Sequence, residues 1–236
     1  MTVSASRIAI GFAAASLSAA AFAEVVVIDG RTNILSAGYA DLSAFTAANV
    51  WEPGVLATTS ISVWGGATVN FNSVQMGGSP QWGPDGYDIV ANGDYYQVNV
   101  STPLTSISGI RANRDGFFAG VFLADGVPSG TAPAALDFRN VNKGGMGIDF
   151  ASLSPVLNQV FFVGDGRTGL GALQNFVAPV GATRLFLGSL DAWYTSTGAA
   201  WGDNPWTFTA DVSVVPAPGA AALLAAAALV GSRRRR

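Results

Sequence analysis

Between residues 206 and 214 the chain alternates without a break. Trp206, Phe208, Ala210, Val212 and Val214 fall on one side, and Thr207, Thr209, Asp211 and Ser213 on the other. Side chains of an extended backbone point to opposite faces at a period of two, so this stretch buries one face and wets the other only as a β-strand. Residues 95–100 repeat the pattern, with Tyr96, Val98 and Val100 opposite Gln97 and Asn99. Shorter apolar runs at 25–28, 58–63, 67–74, 107–112, 117–123, 136–138, 147–150, 160–163, 172–178 and 182–187 lie between turn signals such as Trp64-Gly65-Gly66. Asn113-Arg114-Asp115-Gly116 ends on an Asp-Gly pair, which suits a hairpin between 107–112 and 117–123. Residues 31–51 fit a helical turn or an irregular first hairpin, closed by Glu52-Pro53-Gly54. About ten strand-like segments, with no amphipathic helix outside the termini, predict an all-β domain, a β-sandwich or jelly roll. No fixed-period repeat is present, so a propeller or solenoid does not fit.

The chain has no cysteine and no histidine. Without disulfides, stability must come from the core, and a body of about 190 residues is long enough to bury one. Without histidine there is no Ser-His-Asp triad, no His-ligated zinc and no ordinary neutral-pH general base. A carboxylate-dependent glycosidase is the enzyme class left open, although the acids are mostly aspartates scattered among glycine-rich turns. The expected protein is not an enzyme.

The two ends are addressed to membranes. Residues 1–23 combine a short polar start with Arg7, an apolar run over 8–20, and Ala21-Phe22-Ala23 before Glu24, the pattern of a secretory signal peptide cut after Ala23. Residues 215–236 place Pro216 and Pro218 before an uncharged Ala/Leu run over 220–230, and the chain stops on Arg233, Arg234, Arg235 and Arg236. Eleven apolar residues at about 1.5 Å each cover roughly half of a ~30 Å hydrocarbon core, a short transmembrane helix, and the arginines favour the cytoplasmic side. The ectodomain is then residues 24–214, exported and retained at the cell surface or in the extracellular matrix through the tail. It holds all fifteen acids of the chain against seven of its twelve basic residues, about −8 overall, which disfavours nucleic acid as a partner because phosphate binding needs concentrated Lys and Arg.

Val215-Pro216-Ala217-Pro218, the apolar run and the terminal arginines together resemble the PEP-CTERM sorting tail, with Ala217 standing where that family has glutamate. The resemblance implies an exosortase-type processing enzyme as a partner. An ordinary tail-anchor helix would carry the same apolar run, and in either case the C-terminus engages a membrane.

Two stretches carry possible chemistry. Residues 190–205 run from one strand to another and bear Asp191, Asp203 and Asn204. A loop that returns on itself can offer calcium two carboxylates, an amide oxygen and backbone carbonyls, and pairing at its base would bring Asp191 near Asp203. The same Asp-Asn-Pro sequence also serves as a plain turn. In the loop over 76–87, Trp82 can stack on the apolar face of a sugar ring or plug one end of a sandwich.

Gln81-Trp82-Gly83-Pro84-Asp85-Gly86, followed later by Asp191 and the Asp203-Asn204 pair before the last alternating strand, is similar to the calcium-dependent galactophilic lectins of bacteria. The resemblance runs from about residue 61 to residue 214. It implies a galactose-binding-like jelly roll in which Asp191, Asp203 and Asn204 hold calcium by their side chains. It further implies that a carbonyl near Met76 or Gly77 completes the site and that sugar hydroxyls bind the ion directly. Met76 stands where the family has tyrosine, and the galactose preference does not carry over. The expected function is a calcium-dependent module that binds glycans or extracellular polysaccharide, the alternative a structural matrix or envelope protein without a small ligand.

Overall fold

The computed structural model describes residues 21–78, 91–93, 98–100, 103–192 and 197–217. Along the chain the strands are β1 (Phe22–Asp29), β2 (Thr32–Asn33), β3 (Val55–Leu56), β4 (Ser60–Ser62), β5 (Thr68–Gly77), β6 (Val98–Val100) and β7 (Ile110–Ala112). They continue with β8 (Phe117–Leu123), β9 (Leu136–Phe138), β10 (Ser152–Leu153), β11 (Val160–Phe162), β12 (Asn175–Val177), β13 (Arg184–Leu190) and β14 (Thr207–Val215). The protein is therefore all-β. Residues Ala21–Val215 form one compact unit. Of the residues outside that unit only Pro216 and Ala217 are described.

Among the described residues these strands form three sheets. The first has the order β1-β14-β5-β12-β10, antiparallel except for the β10 and β12 pair. The second has the order β11-β8-β13-β2-β3, with β4 also on β13, and the third is β6-β7-β9. The first two sheets face one another in a sandwich-like arrangement, and phenylalanines fill the space between them. Phe118 on β8 lies 5.9 Å from Phe71 on β5 and 4.9 Å from Phe208 on β14, ring centre to ring centre. Phe161 on β11 stacks on Phe176 of β12 at 5.2 Å.

Strand β14 shows the expected alternation, with Phe208, Ala210, Val212 and Val214 buried. Strand β8 does not alternate, and all seven of its residues are buried. It is covered on both faces: Phe118 turns to the first sheet, while Phe117 packs on Phe162, which in turn meets Phe138 of the third sheet. A strand buried on both sides reads as a continuous apolar run.

Two other expectations are corrected. The turn over 113–116 is not a hairpin. β7 pairs with β6 and β9, and β8 pairs with β11 and β13, so the chain changes sheets there. Residues 147–150 are not a strand, because the carbonyls of Ile148 and Phe150 accept from the buried Gln174 side chain at 2.8 and 2.9 Å instead of joining a ladder. Residues 31–51 contain β2 and a short helix, α1 (Ser43–Ala47), which buries Phe45. Strand β1 begins at Phe22 and pairs Ala23 with Ser213, so a cut after Ala23 would remove two of its eight pairs.

Among the described residues no helix is long and apolar enough to cross a membrane, and the apolar runs over 8–20 and 220–230 lie outside them.

Phe118 is fully buried between the sheets. Truncation of such a ring costs about 3–5 kcal/mol, which for a domain of this size lowers the melting temperature by roughly 6–20 °C. Phe118→Ala should show that drop in a thermal melt, whereas Leu170→Ala, at a side chain 97% exposed, should change it little.

Candidate functional site

One end of the sandwich is built by strand register. Leu190 closes β13 opposite Phe117, the first residue of β8. Asp191 therefore leaves the sheet beside Asp115, which precedes β8 by two positions. Beyond Asp191 the chain turns back. Ala192 bridges Ala199, and the Ala200 N–H donates to the Asp191 carbonyl at 3.3 Å. This is the pairing at the loop's base that the sequence suggested. A short 3-10 turn, Trp201–Asp203, follows and delivers Asp203 and Asn204 to the same end.

The turn is clamped from below. The Trp201 side chain is fully buried and its Nε1–H donates to the Ser189 carbonyl at 2.9 Å. The Gly30 carbonyl accepts from Ser189 Oγ at 2.5 Å and from Asn204 Nδ2 at 3.0 Å, so a single backbone oxygen ties the β1 and β2 connection to β13 and to the site loop. The Gly202 N–H donates to the Glu52 carbonyl at 3.3 Å, which brings in a fourth acid. Gly54 makes that approach possible. Its φ is +73°, and a Cβ there would stand 2.3 Å from the Arg31 carbonyl oxygen and 2.5 Å from Trp201 Cβ.

The carboxylates feel one another. Burial raises Asp191 well above the usual carboxylate range, the negative charges of Asp115 and Asp203 push it further, and Glu52 adds to this. A hydrogen bond from Asn204 works in the opposite direction. Asp203 is raised by burial and then by Glu52. Taking carboxylates out of water beside other anions disfavours their charged forms, and a bound cation would relieve both costs.

The structure thus brings Asp191, Asp203 and Asn204 to one end and adds Glu52 and Asp115. Both additions occur in stretches that read as turns, Glu52-Pro53-Gly54 and Asp115-Gly116, and nothing local separates them from the other turn acids. Among the described residues no set of three or more Asp or Glu side chains forms a ready-made metal cage.

Trp82 lies outside the described residues. Its loop departs from this end, because Gly77 pairs with Thr207 and Met76 with Phe208. A Cβ on Gly78 would sit 3.1 Å from both the Pro205 carbonyl oxygen and Trp206 Cα. In the tail motif, Val215 ends β14 opposite Thr68, Pro216 and Ala217 follow it, and Pro218 and Arg233 to Arg236 are outside the described residues, while Ala21 immediately precedes β1.

No protein-family model, curated protein or solved structure matches the chain.

A carboxyl group raised by folding binds protons more tightly in the folded state, so its contribution to stability declines as pH climbs from the unfolded value, about 4, through the folded one. Asp29 and Asp137, held low chiefly by their hydrogen bonds to Arg31 and Arg139, lose their stabilising effect only as pH falls below the ordinary carboxylate range. Without added metal, the melting temperature should therefore decline as the pH rises above about 4. Asp191→Asn combined with Asp203→Asn should flatten that slope. An unchanged slope in the double variant would remove these two acids as its source.

Proposed function

We propose that this protein is an exported, surface-retained β-sandwich of galactose-binding-like, jelly-roll character that binds calcium and, through the ion, glycans or extracellular polysaccharide. The single observation that carries the reading is the convergence of Glu52, Asp115, Asp191, Asp203 and Asn204 at one end of the sandwich, with Asp191 raised by burial and by its acidic neighbours. Calcium takes six to eight oxygen ligands in a flexible arrangement, so carboxylates, the Asn204 amide oxygen and loop carbonyls are the right donor chemistry. The chain enters the Trp82 loop at Gly78, beside Pro205 and Trp206, and after it Gly93 lies against the Asp115 carbonyl, which favours a sugar bound against both ion and indole.

The signal peptide and the PEP-CTERM-like tail supply the setting, with the membrane and an exosortase-type enzyme as partners. The predominantly antiparallel first sheet, with β14 between β1 and β5, supports the jelly-roll assignment. A second reading, a structural matrix or envelope protein without a small ligand, is favoured by the Asn204 side chain, buried and already committed to the Gly30 carbonyl.

Calorimetric titration of the full chain in detergent with calcium separates the two. The wild type should bind, and at a hundredfold excess over Kd calcium should add about 2.7 kcal/mol of stability. Asp191→Asn with Asp203→Asn should lose the heat of binding while melting at or above the temperature of the metal-free wild type. Equal heats from both proteins would reject the ion site, and a glycan-array response that survives chelation of calcium would reject the ion as the bridge to sugar.

A further inference from the structure

The two ends of the sandwich differ. The acidic end holds Glu52, Asp115, Asp191 and Asp203, together with Asp29, which is paired with Arg31 at 2.6 Å, and there β14 begins at Thr207 opposite Asp29. The opposite end is where β14 finishes at Val215, opposite Thr68, and where Arg184 of β13 faces Leu123 of β8. Four loops meet at this second end, over residues 63–67, 124–135, 154–159 and 178–183. Three of them are tipped by valines, with Val127, Val156 and Val180 exposed at 60, 51 and 92%. The fourth carries Trp64, half-buried, its ring 6.3 Å from that of Phe22. Val215 adds a further exposed valine as the chain leaves.

These loops hold a single charged residue, Asp125, which accepts a hydrogen bond from Thr183, and Arg184 beside it donates to the Ala124 and Gly126 carbonyls. Loop tips are ordinarily polar. Apolar tips gathered on one surface mark a contact with something apolar.

The chain itself says what that is. Only four residues, Pro216, Ala217, Pro218 and Gly219, separate the end of β14 from the apolar run that starts at Ala220. Fully extended at ~3.6 Å each they reach at most about 14 Å, so a membrane-inserted tail holds this end close to the bilayer surface. Nearly uncharged loops with valine tips and a tryptophan suit the interface between headgroups and acyl chains, whereas the acidic end does not suit anionic headgroups.

We propose that the valine-tipped end, with Val127, Val156, Val180, Val215 and Trp64, rests on the membrane that receives residues 220–230. The carboxylate end then points away from it. The nine residues of β14 span roughly 30 Å, so the candidate calcium site stands well beyond the Debye length from the lipid charges and faces whatever lies outside the cell. The orientation rests on reading the tail as membrane-inserted, and the experiment separates the two.

Because the chain has no cysteine, single cysteines take a fluorophore at one defined place. Full-length Val180→Cys, Val127→Cys, Leu170→Cys and Thr207→Cys proteins would be labelled and reconstituted into phosphatidylcholine vesicles that contain lipids with a spin label near the headgroup. Leu170 is the control for exposed apolar character, since it is 97% exposed on a loop anchored beside the middle of β5 through Arg167 and Asn72. Labels at 180 and 127 should be quenched at least about twofold more than those at 170 and 207. Flotation with the vesicles but equal quenching at the four positions overturns the orientation and leaves the tail reading standing. Failure to float overturns the tail reading and this inference with it. A label at 180 that is shielded from water in proportion to protein concentration, yet not quenched by lipid, assigns the end to a second copy of the chain and overturns the membrane contact.

Discussion

Phe118 touches Phe71 and Phe208, and through those two contacts β8, an interior strand of one sheet, is held against β5 and β14 of the other. With no cysteine available, apolar contact of this kind must hold the layers together. The third sheet extends the same logic outward, since Phe138 meets Phe162 and Phe162 meets Phe117. Aromatic rings 4.8 to 5.9 Å apart therefore cover both sides of β8, Phe117 meeting the ring that leads to the third sheet and Phe118 a ring of the first.

On that frame the acidic end is assembled from loops that have little regular structure of their own. The Gly30 carbonyl accepts from both Ser189 and Asn204, Trp201 is plugged beneath the turn, and Gly54 lets the Glu52 loop approach it. These neutral hydrogen bonds fix the loops, while burial and the negative charges of its neighbours together raise Asp191. A fold that spends stability on gathered anions is ordinary where a cation or another ligand returns it.

Much of the fold was legible locally. Alternation marked β14, a continuous apolar run marked β8, and Trp64-Gly65-Gly66 marked the turn before β5, because period-two patterning and turn chemistry depend on neighbours in sequence. The two-residue strands β2 and β3 were not legible, since two residues carry no period, and their pairing depends on β13 lying alongside. The Asp-Gly turn at 115–116 was misread as a hairpin for the same reason: a turn signal says that the chain bends, and the partner of the following strand is chosen elsewhere. In the site, Asp191, Asp203 and Asn204 stood out because a loop between strong strands holds them close in sequence. Glu52 and Asp115 arrive from 139 and 76 positions away from Asp191, and only the β8 and β13 register and the Gly202 contact with Glu52 bring them in.

By itself, then, the amino-acid order determined which segments extend, which of their faces are apolar, and that the ends of the chain differ sharply from its acidic middle. The tertiary structure decided which strands became neighbours, that five acids and four exposed valines would gather at opposite poles, and that the chain would leave from the apolar one. Strand character follows from contacts between adjacent residues, whereas neighbourhood follows from burying those faces against one another, a choice made by the whole core at once.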